Sequence, residues 1–285
     1  MKSLKLNNGK LIPQLGYGTW LIKDKNVCAS TLLAFEAGYR HVDTAQVYHN
    51  ERGVGEAIRK SGLKREEIFL TSKVDAGHKS YKSAKKSIDK SLKKLGVDYI
   101  DLMLIHSPQP WLEFRKSRRY FKENIEVWKA LEDAYKEGKL KAIGVSNFLV
   151  DDLENILNNS EIKPMANQVL THIGNTPIDV IKFCQENDII VEAYSPIAHG
   201  AALKNPQIKE IAEKYKVSVP QLCIRYTLQL GAVSLPKASS KEHIESNMKV
   251  DFEIREEDMV ELIKINEVDY GKDALWPVFN KRNKQ

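Results

Sequence analysis

Short runs of β-forming residues alternate with longer amphipathic stretches along almost the whole chain, and this alternation constrains the fold more than any other feature. Strand-like runs fall at 15–17, 41–42, 68–72, 101–105, 140–145, 166–169, 189–193 and 233–235. Apolar residues recur at helical spacing over 27–37, 51–60, 83–95, 124–136, 150–158, 178–186, 206–215, 220–230, 243–249 and 256–266. Strands separated by helices pair in parallel through right-handed crossovers. Eight such units in about 250 residues predict an α/β fold, a closed (β/α)8 TIM barrel. An open doubly wound sheet is the competing arrangement of the same alternation. Two segments precede the repeat: 3–6 and 10–13 flank Asn8-Gly9, a hairpin turn signal, and predict a β-hairpin capping the barrel bottom. No linker or low-complexity tract interrupts the 285 residues, so one domain over 1–285 is expected.

Composition narrows the function classes. The net charge is +6, but lysine and arginine are spread among acidic residues with no basic stripe, which argues against a nucleic-acid partner. No apolar run approaches the roughly 20 residues that span a membrane, and the first 20 residues lack a signal-peptide core. Cys28, Cys184 and Cys223 are scattered and odd in number, as in a reducing compartment. These features predict a cytoplasmic protein, read as a monomer.

In a barrel of this kind chemistry sits where strands end, at their carboxyl ends. Polar residues fall there repeatedly: Asp43-Thr44, Ser72-Lys73, His106, Ser146-Asn147, Asn167-Gln168, Tyr194-Ser195 and Lys237. Each alone has a bland explanation, a helix cap for Asp43-Thr44 or a packed structural histidine for His106. Together they put an acid, a lysine, a histidine and several amides on one barrel face. Gly53-Val54-Gly55 lies inside a helical stretch, follows no strand and lacks a third glycine, so it is no dinucleotide fingerprint. Neither a phosphate loop nor histidines at metal-ligand spacing occur, and no metal is expected.

Several blocks resemble the aldo-keto reductases, including their bacterial-type reductases of aldehydes, ketones and diketogluconate. GYRHVDTAQVYHNERGVGEAI (38–58), FLTSKV (69–74), DLMLIHSP (101–108), GVSNF (144–148), NQV (167–169), AYSPIAHG (193–200) and LPKASSKEHIESN (235–247) follow in the family's order over nearly the whole chain. The resemblance implies carbonyl reduction by NADPH, with NADH as a secondary cofactor, on a small-molecule carbonyl substrate. It implies a catalytic tetrad of Tyr48, Asp43, Lys73 and His106, with Tyr48 as proton donor. The physics agrees: a lysine cation near a tyrosine lowers its pKa, a buried lysine needs a paired acid, and His106 can orient the carbonyl oxygen.

The same resemblance assigns Ser146, Asn147 and Gln168 to the nicotinamide carboxamide and Tyr194 to stacking on the ring. It gives Lys237, Ser239, Ser240 and Asn247 to the adenosine end, and adds Thr19, Asp43, Ser195, Ile197 and His243 as cofactor contacts. His243 stands where many members carry arginine for the 2′-phosphate, and Ser246 where many carry an acid. Trp20, Tyr48, His106 and Trp111 are expected to wall the substrate pocket, with Trp276, Val278 and Phe279 approaching it from the C-terminal tail. The 107–120 loop holds Arg115, Lys116, Arg118 and Arg119, read as a solvated basic loop, or alternatively as a rim attracting anionic substrates. An alcohol or sugar dehydrogenase running oxidatively, and a cofactor-binding barrel with a regulatory or structural role, are the alternative functions.

Overall fold

A computed structural model describes residues 2–266 and 268–280. The hairpin comes first along the chain. Strands β1 (Ser3–Lys5) and β2 (Leu11–Pro13) pair antiparallel, Ser3 opposite Pro13, around a turn in which Gly9 adopts φ +88°. That left-handed conformation suits glycine, which has no Cβ to clash.

The barrel strands are β3 (Tyr17–Gly18), β4 (His41–Asp43), β5 (Phe69–Val74), β6 (Leu102–Ile105), β7 (Ile143–Ser146), β8 (Ala166–Leu170), β9 (Ile190–Tyr194) and β10 (Val233–Leu235). They pair in sequence order, all parallel, from β3 to β10. The ends join through a parallel bridge between Leu15 and Ser234 and hydrogen bonds from Gly16 N to Ser234 O, Ser234 N to Gln14 O and Gly18 N to Pro236 O. The sheet is therefore a closed barrel, and the open-sheet alternative is excluded. The hairpin caps its amino-terminal end, with Asn7 Nδ2 donating to Pro164 O and Asn8 Nδ2 to Lys141 O, just before β8 and β7.

Among the described residues ten α-helices accompany the strands: α1 (Asp24–Glu36), α2 (Glu51–Lys60), α3 (Tyr81–Leu95), α4 (Phe121–Lys136), α5 (Val150–Asn159), α6 (Ile178–Glu186), α7 (Pro206–Lys214), α8 (Val219–Gln229), α9 (Lys241–Ser246) and α10 (Glu256–Lys264). The two glycines in α2 serve packing. A Cβ on Gly53 would come within 2.4 Å of Val27, and one on Gly55 within 1.9 Å of Leu95 O, so glycine lets α2 press against α1 and α3.

Two predicted boundaries shift for identifiable reasons. The stretch expected to be helical at 243–249 starts at Lys241 because the Ser240 hydroxyl caps it, accepting from His243 N at 3.3 Å. The stretch expected at 256–266 ends at Lys264, where Ile265 turns extended.

Candidate active site

Alternation along the strands decides which polar residues reach the barrel interior, since successive side chains face opposite sides. On β4, His41 and Asp43 point in. On β5, Thr71 and Lys73 point in, whereas Ser72 points out and donates to Glu51 of α2 at 2.8 Å. On β8, Gln168 points in, while Asn167 turns out to Phe148 O at 3.1 Å. The Ser72-Lys73 and Asn167-Gln168 pairs of the sequence are thus split, one member of each reaching the site.

At its centre lies a buried ion pair. Lys73 is fully buried, and its Nζ stands 2.8 and 2.7 Å from the Asp43 carboxylate oxygens, 2.9 Å from Thr44 O and 3.4 Å from the Tyr48 hydroxyl. Burying a lysine is costly unless its charge is matched and hydrogen-bonded, and here both conditions are met. Gln168 Nε2 donates to Asp43 Oδ1 at 2.8 Å from the other side.

Tyr48 is carried on a single 3-10 turn, Gln46–Tyr48, just past β4. Flanking amides hold this turn. Gln46 Nε2 donates to Ser91 Oγ at 2.9 Å and to Ser87 O at 3.1 Å, and its oxygen accepts from Asp75 N at 2.9 Å. Asn50 Nδ2 donates to Thr19 O and Ile22 O, and Asn50 Oδ1 accepts from the Thr44 hydroxyl at 2.7 Å. Thr44 therefore braces the Tyr48 loop instead of capping a helix. Those two amides hold the Tyr48 turn through partners distant in sequence, which strand-end reasoning does not reach.

Proton affinities differ from the expectation in one respect. Burial pushes the Tyr48 hydroxyl well above its ordinary value, and the negative Asp43 pushes it the same way. The Lys73 charge is engaged by both Asp43 oxygens, so the downward effect expected from it does not prevail. Burial holds His106 well below its ordinary value, with Lys73 adding to the effect. The site thus keeps a protonated phenol beside a neutral imidazole, with ring centroids 5.6 Å apart.

Above the tetrad opens a cavity of about 350 Å³ lined by Trp20, Leu21, Val47, Tyr48, His106, Trp111, Ser146, Asn147, Gln168, Tyr194, Trp276, Pro277 and Val278. The expected wall residues Trp20 and Trp111 are both present, and Trp276 and Val278 of the tail close it. Phe279 sits behind, ring to ring with Trp20, His199 and Tyr270. A cleft of about 610 Å³ adjoins it, sharing Trp20, Leu21, Tyr48 and Tyr194, and runs past Ser195, Ile197, Lys237, Ser239, His243 and Asn247.

Thr19 and Ser240 take other places. Thr19 is fully buried and donates to Asp43 O at 2.8 Å, beneath the site, while Ser240 caps α9. Ser146, Asn147 and Tyr194 form a linked set: Tyr194 OH donates to Asn147 Oδ1 at 2.8 Å, and Asn147 Nδ2 donates to Ser146 Oγ at 3.1 Å and His106 O at 3.0 Å. Asn147 holds a left-handed φ of 62° to do so. A cavity with amides at one end, joined to a long cleft carrying a lysine, a histidine and serines at the other, suits a phosphorylated dinucleotide.

Two arginines of the basic loop are paired with acids. Arg119 is bonded to Asp151 and Asp152, and Arg118 lies 3.5 Å from Glu123. Glu192 and His41, buried beneath the tetrad, were not foreseen from the sequence. Among the described residues no three His, Cys, Asp or Glu side chains come together as a metal site.

Comparison with known proteins is consistent along the chain. The model of the Aldo/keto reductase family matches residues 14–267. The chain is 40% identical to a glyoxal reductase of Bacillus subtilis, with 93% of this chain and 92% of that protein covered. It is 37% identical to an aldehyde reductase of Saccharomyces cerevisiae, covering 97% and 96%. Among solved structures, an aldo-keto reductase of Bombyx mori in complex with NADP superposes with a TM-score of 0.84 at 31% identity, covering 98% of both chains.

Proposed function

The chain belongs to the aldo/keto reductase family, and from that premise we propose that it reduces small aldehydes and ketones to alcohols with NADPH, Tyr48 giving the proton. One observation carries the assignment of Tyr48: the phenol lines the cavity floor, keeps its proton at neutral pH, and stands 3.4 Å from a buried lysine that can stabilise the phenolate left behind. NADPH, when bound, supplies a hydride to the carbonyl carbon. The oxygen then gains negative charge and takes the Tyr48 proton. Lys73 and Asp43 hold the charge balance around the resulting phenolate. His106, kept neutral, cannot compete as the acid and serves to donate a hydrogen bond that orients the carbonyl oxygen.

Gln168, with Ser146 and Asn147, would hold the nicotinamide carboxamide, and Tyr194 would back the ring. Lys237, Ser239, His243 and Asn247 would hold the adenosine end, with Lys237 on the 2′-phosphate. NADH serves as a secondary cofactor, because the His243 imidazole lacks the bidentate fork with which an arginine holds a phosphate. The walls are tryptophans and aliphatic residues, which supports apolar or aromatic aldehydes as good substrates. The protein works as one domain and as a cytoplasmic monomer; its three unpaired cysteines support a reducing compartment. Light scattering checks the monomer.

The test is NADPH and NADH oxidation at neutral pH against a panel of carbonyls. The reading expects turnover of aldehydes with kcat/KM higher for NADPH. Preference for NADH would overturn the cofactor assignment, and absence of any hydride turnover the function.

A further inference from the structure

Gln168 is held by two carboxylates, only one of which belongs to the tetrad. Its Nε2 donates to Asp43 Oδ1 at 2.8 Å and to Glu192 Oε2 at 3.2 Å. Glu192 lies on β9, fully buried in the barrel interior next to β8. Its other oxygen, Oε1, makes no hydrogen bond among the described residues, and stands 3.7 Å from His41 Nε2. An amide has two N–H donors, and here each has its own acceptor. Turning the amide over would set its carbonyl oxygen against the Asp43 carboxylate. Both the flip state and the tilt of Gln168 are therefore fixed from below. Its carbonyl oxygen, free of hydrogen bonds among the described residues, is left on the side away from the two acids, on a residue that lines the cavity.

We propose that Glu192 is a positioning residue: with Asp43 it locks the Gln168 side chain so that its carbonyl oxygen is presented as an acceptor to the carboxamide of the nicotinamide cofactor. This rests on the reading that Gln168 holds that carboxamide. Asp43 fixes the orientation, and Glu192 occupies the second N–H, which would otherwise be buried unpaired or free to swing the amide out of plane. The groups facing Glu192 keep it suited to this task. His41 and Asp43 face it from β4, Lys73 from β5 and Gln168 from β8. Burial, and next the charge of Asp43, push the Glu192 carboxyl up to about 8, while burial takes His41 down to about 3. Both shifts favour the neutral forms at pH 7, which leaves Lys73 paired with Asp43 as the charged groups at this spot among the described residues.

The experiment measures Kd by protein fluorescence for two ligands, NADPH and adenosine 2′,5′-bisphosphate, which lacks the nicotinamide. Glu192→Met fills a similar volume without an oxygen acceptor, Glu192→Gln keeps an acceptor, and Gln168→Met removes the amide. Loss of one directed hydrogen bond predicts a rise of roughly 5- to 10-fold in the NADPH Kd of Glu192→Met, with the bisphosphate Kd unchanged. Glu192→Gln should bind both ligands as wild type does. An unchanged NADPH Kd in Glu192→Met beside a weakened Gln168→Met overturns the role of Glu192 alone. An unchanged Gln168→Met overturns the underlying reading of the carboxamide site. Equal weakening of both ligands in Glu192→Met shows a merely structural residue and also overturns the proposal.

Should Glu192→Met fail to fold, the ratio of wild-type to Glu192→Gln NADPH Kd between pH 7 and 9 decides. Burial raises the Glu192 carboxyl into this range and Glu192→Gln has no carboxyl there, so the ratio should change as the wild-type acceptor gains charge, and a flat ratio contradicts the proposal.

Discussion

Replacing Lys73 with methionine isolates the energetic centre of the site. The ammonium makes its contacts with Asp43 Oδ1, Asp43 Oδ2, Thr44 O and the Tyr48 hydroxyl, and the residue has no solvent access. Methionine fills most of the volume but leaves a buried carboxylate whose remaining side-chain partner is Gln168 Nε2. Breaking a buried pair from one side costs about 3–5 kcal/mol, or roughly 6–10 °C in Tm at about 2 °C per kcal/mol for a chain of this size. The deficit should shrink in acid. The stranded charge is what costs the variant its stability, and neutralising it relieves that cost. The double variant Asp43→Asn/Lys73→Met removes the stranded charge and should regain about 2–3 kcal/mol while staying inactive. Calorimetric melts at pH 5 and 7, with NADPH oxidation alongside, read all of this. A Lys73→Met protein melting within about 2 °C of wild type, or a double variant no more stable than the single, would refute the buried-pair argument.

Other consequences follow from particular contacts. Glu192 is held at about 8, above its ordinary 4.5, so the folded state binds the proton more tightly. Its contribution is fully present below about pH 4.5 and is lost as pH rises toward 8, so Glu192→Gln should gain stability over wild type by up to about 1.4 kcal/mol per pH unit in that window, read by urea melts. His243→Arg supplies a fork for the 2′-phosphate and should raise the NADPH-over-NADH ratio of kcat/KM by roughly tenfold, with NADH values unmoved. Gly55→Ala puts a Cβ 1.9 Å from Leu95 O and should cost about 1–3 kcal/mol in thermal melts without altering KM.

The barrel was legible because periodicity is written into every strand and helix: 51–60, 178–186 and 233–235 match α2, α6 and β10 to the residue. Strand ends also yielded Asp43, Lys73 and His106, since a polar residue closing an apolar run has few other places to go. They could not separate Lys73 from Ser72 or Gln168 from Asn167, because a strand's inward parity is set by pairing register and not by composition. Tyr48 lay beyond pattern because its turn is held by Gln46 and Asn50, whose partners are distant in sequence. Glu192 was hidden for a related reason: a lone acid in IIVEAY gives no sign that it faces the interior beside Gln168. The direction of the Tyr48 shift needed burial as well as charge, and burial is a property of the closed barrel.

The central claim is that the Tyr48 hydroxyl delivers the proton, and Tyr48→Phe tests it most directly, because phenylalanine keeps the ring and loses only the acid. With a good aldehyde substrate and saturating NADPH, kcat should fall by about 10²–10⁴-fold while the NADPH Kd and Tm stay near wild type. A variant that retains most of its turnover would contradict the account, since the neutral His106 would then have to be supplying the proton.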